Sequence, residues 1–414
     1  MENQPRESNG GRVETIPNVP LRNMNDLSEY YTPGVARLCL KIKEDREKVF
    51  EHTGKGNTIA IVSDGTRILG LGNIGPEAGL PVMEGKAILF KKFGGINAVP
   101  LCIGTTDEDK IVEFVRNIAP TFGAVNLEDI ESPKAFRIFD KLQGLSIPVF
   151  HDDRHGTAVV TVGALINAVK LVGKDRKARI VINGAGVAGI GTASLALASG
   201  FSNVTLVDSK GAIYEGRKED MNKFKEEIAA KTNKDNTRGG IEEVASGADV
   251  LIGLSRKGAF PDKIIGGMAN KPIVFALANP EPEIGYEQAK DAGAFIVATG
   301  ASNKPNQVNN VVAFPGIMRG ILDSRALGIT EGMLSAAAEA LAAGTGKNLS
   351  AEHILPYVFD SRYGEVSAGI AVAVAGTAVK EGIARMKPSP DEIRKNMESL
   401  LLRYNKLEEF RFGR

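Results

Sequence analysis

The sequence predicts an α/β fold built from two parallel-sheet units. The first is an N-terminal parallel βαβ domain, the second a doubly wound Rossmann-type domain, and a C-terminal helical segment follows. Three observations carry this. From residue 58 short β-branched runs alternate with longer amphipathic ones, the rhythm of parallel strands covered by crossover helices. A second series opens where ARIVIN (178–183) runs into a glycine-rich turn at Gly184. Two acidic pairs, Glu128-Asp129 and Asp152-Asp153, each close a short apolar run, the place where parallel sheets gather their ligands.

The elements follow in order. TIAIVS (58–63) reads as a strand and PEAGLPVMEGKAILFKKF (76–93) as a helix. NAVPLCI (97–103) is a strand, EDKIVEFVRNIA (108–119) a helix, and TFGAVNL (121–127) a third strand. SPKAFRIFDKLQ (132–143) reads as a helix before the strand IPVF (147–150). The long run 155–173 is a helix that leads into the second unit, whose strands are 178–183, NVTLVD ending at Asp208, DVLIGL (249–254), PIVFAL (272–277) and AFIVATG (294–300). Beyond about residue 314 the chain is helical and rich in alanine. The boundaries expected are 1–155, 156–385 and 386–414.

Composition narrows the function classes. With 51 basic and 50 acidic residues the net charge is +1, which argues against a nucleic-acid partner. Cys39 and Cys102 have no metal-type spacing and point to a reducing compartment. The start, MENQPRESNGGRVET, is polar, expected to be mobile, and unlike a signal peptide. AGIAVAVAGTAV from Ala368 is too short to span a bilayer. The expectation is a soluble, cytoplasmic protein without a membrane partner.

The glycine-rich turn is informative by its context. GxGxxG at Gly184, Gly186 and Gly189, with Val187 and Ala188 between, stands at a strand-to-helix junction. Asp208 closes the next strand 24 residues after Gly184. Backbone N–H groups at such a helix start receive a pyrophosphate, and the acidic residue accepts from ribose hydroxyls. The reading is a dinucleotide site.

Four carboxylates at neighbouring strand ends repel one another and call for a hard cation, Mg²⁺ or Mn²⁺. The bland alternative makes each pair a helix cap. Arg67, just after the first strand, is either a bidentate clamp for a substrate carboxylate or a bridge to Asp64 in its own turn. Lys86 lies in the mostly apolar LPVMEGKAILF. Desolvation and a nearby metal would lower its pKa towards that of a general base, unless it snorkels to the surface. Tyr31, preceding Thr-Pro-Gly, is either an aimed phenol or plain packing. Asn279 and Asn310 follow later strands and suit a nicotinamide amide or a substrate carboxylate, or simply a turn. The four histidines show no ligand spacing; His151 and His155 read as helix-start residues or neighbours of the metal site.

Taken together, YTPGVA, SDGTRILGLGNIGPEAGLPVMEGKAILFKKF, NLEDI, VFHDDRHGTA, VINGAGVAG, VDSKG, ALANPEPEI and PNQVNNVVAFPG resemble the malic enzymes, in the short bacterial and archaeal form. The resemblance runs from about Tyr31 to Gly320. It implies oxidative decarboxylation of (S)-malate to pyruvate and CO₂ with reduction of NAD or NADP, a divalent metal, and a homodimer. It implies Tyr31 as general acid, Lys86 as general base, and Glu128, Asp129 and Asp153 as metal ligands. Asp152 would support the lysine, and Arg67, Asn279 and Asn310 would contact substrate, the two asparagines also lying near the nicotinamide. Some members continue into a phosphotransacetylase-like domain, for which this chain is expected to be too short. Arg256, Lys257 and Ala301 depart from the pattern at loops expected to face the coenzyme. Both coenzymes are expected to work, with NAD preferred because Asp208 repels a 2′-phosphate. The alternatives are a malolactic-type or oxaloacetate-decarboxylating enzyme on the same frame, and an inactive NAD-binding sensor.

Overall fold

All nine strands expected from residue 58 onward are present in the computed structural model, most of them trimmed by a residue or more. It describes residues 11–413, so the first ten residues of the polar start expected to be mobile lie outside it. The first sheet contains β1 (Thr58–Ser63), β2 (Asn97–Cys102), β3 (Ala124–Leu127) and β4 (Val149–His151). Its order is β2-β1-β3-β4 and every pairing is parallel. β1 and β3 are almost wholly buried, which is why their sequences read as unbroken apolar runs rather than alternations.

The second sheet contains β5 (Ile180–Asn183), β6 (Val204–Asp208), β7 (Gly211–Ala212), β8 (Val250–Gly253), β9 (Ile273–Ala276) and β10 (Ile296–Thr299). The order β10-β9-β8-β5-β6-β7 reverses direction between β5 and β8, so a crevice opens at their carboxyl ends. Only β7 runs antiparallel. It is a two-residue edge strand too brief to leave a periodic signal.

The join between the sheets departs from the sequence expectation. The single helix expected from residue 155 is the helix Thr157–Leu171, entered through one wide π turn, Asp152–Gly156. The helix is buried on nearly every face, as a helix apolar all round must be. Strand β4 thus delivers Asp152 and Asp153 directly into the linker between the domains.

Two further features frame the site. The N-terminal helices Met24–Tyr30 and Val35–Glu44 bury no residue, and Leu21, Met24, Leu40 and Tyr31 stand in solvent. At the other end, the chain folds back onto the helix Pro76–Gly94. Phe314 packs its ring 4.6 Å from Phe90. The Ser367 hydroxyl donates to the Phe93 carbonyl at 3.0 Å, and Lys92 reaches Asn405 and Glu408 on the helix Pro390–Phe412. Among the described residues no helix is long and apolar enough to cross a membrane.

Candidate active site

Glu128 and Asp129 leave the end of β3, and Asp152 and Asp153 the end of β4, so parallel pairing of these strands brings the two acidic pairs side by side. Glu128, Asp129 and Asp152 are all buried. Lys86 reaches in from the helix Pro76–Gly94, its Nζ 2.6 Å from Asp152 Oδ2 and 3.1 Å from Glu128 Oε1. Its ammonium stands 4.3 Å from the centre of the Phe314 ring. Asn126 donates to Glu128 Oε2 at 2.7 Å, and Asn310 donates to Asp152 Oδ2 at 2.8 Å. Asn310 therefore reaches across from the second domain. A Cβ at Gly156 would lie 2.1 Å from Asp152 Oδ1, so only glycine lets the π turn pass this carboxylate.

Without the metal that the expectation for Lys86 assumed, the electrostatics run the other way. Burial alone favours a neutral Lys86, but the adjoining Asp152 and Glu128 carboxylates outweigh it and raise the lysine pKa. The apolar neighbours in sequence predicted the opposite, because they show the desolvation and hide partners 42 and 66 residues away. Burial likewise pushes the Glu128 carboxyl well up against the pull of Lys86, with Asp152, Asp153 and Asp129 adding repulsion. Asp129 is pushed up to about 7, first by burial and then by Asp153. This is the signature of crowded like charges in a poorly hydrated place.

A hard divalent cation fits this donor set in type and charge. Asp152 Oδ1 and Asp153 Oδ2 are buried oxygens without hydrogen-bond partners, and the crowding that raises Glu128 and Asp129 would be relieved by added positive charge. As the side chains stand, no three His, Cys, Asp or Glu groups among the described residues have ligating separation, and the Lys86 ammonium itself compensates Glu128 and Asp152. His151 and His155 are buried, with pKa values lowered chiefly by that burial. His155 Nδ1 accepts from the His151 backbone N–H at 3.2 Å.

Arg67 lies where Asp129 feels its charge, and its backbone N–H donates to the Asp129 carbonyl at 3.2 Å. Asp64 is bound instead by Lys134, at 2.6 Å. Of the two sequence readings, the local bridge from Arg67 to Asp64 is the one the geometry does not contain. Tyr31 is 68% exposed at the end of the helix Met24–Tyr30.

In the second domain, Gly184 follows β5 and its Cβ position falls 2.3 Å from the Leu254 carbonyl after β8, so the glycine turn lines the crevice. Gly186 caps the helix Val187–Ala198, which carries Val187, Ala188 and Gly189 in its first turn. Asn279 lies beside Gly300, and Pro280 abuts Gly70 of the Arg67 loop, so loops of both domains border one cleft. Glu283, fully buried, accepts from the backbone N–H groups of Ser255 at 2.8 Å and Ala278 at 3.0 Å. It ties the loop after β8 to the loop of Asn279. Arg256 and Ala301 are exposed, and Lys257 pairs with Glu281.

Asp208 is not a free acceptor. Arg217 donates to both its oxygens, at 2.8 and 2.9 Å, and Lys225 to Oδ2 at 2.8 Å. Despite some burial, these cations hold its carboxyl below the usual range. Lys225, Lys134 and Phe314 were not legible in the sequence. None of the three belongs to a local pattern, and only Lys225 lies within a few turns of its partner.

The arrangement, a two-domain cleft with a dinucleotide turn on one wall and a lysine among carboxylates on the other, belongs to a dehydrogenase-like class. Comparison with known proteins is decisive for the family. The profile described as malic enzyme, N-terminal domain, matches residues 10–110, and that described as malic enzyme, NAD binding domain, matches residues 155–379. The chain is 51% identical to the bifunctional malic/malolactic enzyme of Bacillus subtilis, covering 95% of this chain and 96% of that one. It is 47% identical to the NAD-dependent malic enzyme of Geobacillus stearothermophilus, over 92% of this chain and 79% of that one. The crystal structure of malic enzyme from Pyrococcus horikoshii superposes with a TM-score of 0.91 at 46% identity, covering 95% and 93% of the two chains. The chain belongs to the malic enzyme family.

Proposed function

We propose that the protein oxidatively decarboxylates (S)-malate to pyruvate and CO₂, reducing NAD or NADP, and requires Mg²⁺ or Mn²⁺. The observation that carries this is Lys86, held between Glu128 and Asp152 and bridged through Asn310 to the coenzyme domain. A bound divalent cation would supply the charge that polarises the C2 oxygen and, later, the keto oxygen, with Glu128, Asp129 and Asp153 to hold it. The bound coenzyme would accept hydride from C2. In this scheme Arg67 holds a malate carboxylate. Lys86, once cation binding relieves its two carboxylates, takes the C2 hydroxyl proton and returns it to Asp152 or solvent. Tyr31 protonates C3 after CO₂ has left. Asn279 and Asn310 orient the reacting carbon towards the coenzyme face.

Asp208 supports NAD as the preferred coenzyme, and the cations Arg217 and Lys225 narrow that preference by neutralising it. A homodimer is supported by the apolar side chains left in solvent around Leu21, Met24 and Leu40; a second copy laid there would also take Tyr31 out of water. A cytoplasmic location remains our reading, in keeping with Cys39 and Cys102 as free thiols. We keep 1–155, 156–385 and 386–414 as the domain division.

The test is a product assay with malate, Mn²⁺ and either coenzyme. One reduced coenzyme per pyruvate is expected. Lactate without net coenzyme reduction would replace the proposal by the malolactic reading, which the Bacillus relative's name makes the natural second choice. Coenzyme binding with no product at all would leave a sensor.

A further inference from the structure

Asp64 and Lys134 form an ion pair for which the scheme above has no use. Asp64 follows β1 with its side chain fully buried, and Lys134 opens the helix Lys134–Lys141 with its side chain 7% exposed. The contact, 2.6 Å between Nζ and Oδ2, is a charge contact without hydrogen-bond alignment. Asp64 Oδ1 accepts from the Thr66 backbone N–H at 3.1 Å and from its hydroxyl at 2.6 Å. That hydroxyl oxygen accepts in turn from the Glu131 N–H at 3.1 Å. The loop bearing Arg67 is thereby pinned to the loop bearing Glu128 and Asp129.

A buried carboxylate needs a cation, because an unpaired charge in a dry site is costly. Lys134, from 70 residues on, pairs with Asp64, and Arg67 stands exposed three residues along the same loop. Lys134 holds the position, and among the described residues Arg67 makes no salt bridge. We infer that Lys134 is a positioning residue for substrate binding: by occupying Asp64 it keeps the Arg67 guanidinium turned outward and free for a dicarboxylate. The inference rests on the malate reading of the site. It adds that the affinity for malate depends on a lysine that never touches it.

The experiment measures malate binding directly by calorimetry, with Mn²⁺ and coenzyme present, beside steady-state kinetics. Lys134→Met should weaken the malate Kd and raise its KM roughly tenfold or more. Coenzyme affinity and kcat should stay within about threefold. Asp64→Asn added to Lys134→Met removes the charge that would draw Arg67 inward, and should restore malate affinity to near wild type. Wild-type malate binding in Lys134→Met overturns the inference. So does a double variant as weak as the single one, which would mean general loosening of the loop. Should Lys134→Met fail to fold, Lys134→Gln takes its place under the same criteria: weaker malate binding that Asp64→Asn restores supports the capture of Arg67, and wild-type binding refutes it. Wild-type protein that neither binds nor oxidises malate would sink the malate reading itself, before any variant is made.

Discussion

Alanine at Gly186 and alanine at Gly189 should fail for different reasons, and the structure sets both. At Gly186 the backbone is extended, with φ −89°, and an added Cβ meets nothing within 4 Å. Folding should tolerate the change or gain slightly, by about 0.4–1 kcal/mol, because alanine restricts the unfolded chain. The position nevertheless caps the helix that would receive a pyrophosphate, where a methyl group blocks the close backbone approach. A loss of about 2–3 kcal/mol, roughly 30- to 150-fold in coenzyme Kd, is expected. At Gly189 the Cβ would sit 1.8 Å from the Gly184 carbonyl oxygen, where ordinary contact begins at 3.4 Å. The helix would have to retreat from β5 by about 1.6 Å. Overpacking of this severity costs about 1–3 kcal/mol or more and lowers Tm as well as binding. Thermal unfolding without coenzyme, followed by titration with reduced coenzyme monitored by fluorescence, separates the two. Unchanged coenzyme affinity in Gly186→Ala, or a wild-type Tm in Gly189→Ala, would refute the reasoning.

Lys86→Ala should cut malate oxidation by about 10²–10⁴-fold, whereas Tyr31→Phe should spare hydride transfer and slow proton return to C3; wild-type pyruvate release from Tyr31→Phe would move the acid to Tyr30. Because burial and then Asp153 raise Asp129 to about 7, above its unfolded value, its contribution to metal-free stability is present at low pH and lost as pH rises through 7. Mn²⁺ should therefore raise Tm more at pH 8 than at pH 5, and Asp153→Ala should remove that difference, both read by thermal melts with and without chelator. Lys225→Ala should widen the preference for NAD over NADP by about tenfold, since it uncovers negative charge on Asp208; an unmoved ratio of specificity constants would show that Asp208 does not discriminate. At low pH the same carboxylate matters differently. Its pKa is held below the unfolded value by Lys225 and Arg217 against its burial, so the stability it contributes is present above that value and lost as pH falls through the folded one, a loss that Asp208→Asn should abolish in acid melts.

Much of the architecture was legible because it is written locally. Strands β1 and β3 announce themselves as apolar runs, and β5 by its passage into GxGxxG. The acidic pairs mark strand ends whatever the order of strands. The order itself was not legible, nor were the links that cross the chain. Nothing near Asp64 names Lys134, and nothing near Lys86 names Phe314; its link to Asp152 came from the family resemblance alone. The upward pull of the carboxylates on metal-free Lys86 was missed for that reason: desolvation is a property of neighbours in sequence, while compensation comes from neighbours in space.

The return of distant helices onto the helix of Lys86 has a consequence for how the protein is made. Lys92 meets partners 313 and 316 positions further along, and Phe90 waits for Phe314. A ribosome adding about 5–20 residues per second needs roughly 16 to 60 seconds to supply that cover. Throughout that interval the first sheet can pair its strands, but the outer face of its lysine-bearing helix remains bare and adhesive. The nascent chain should be a client of holding chaperones for most of its synthesis.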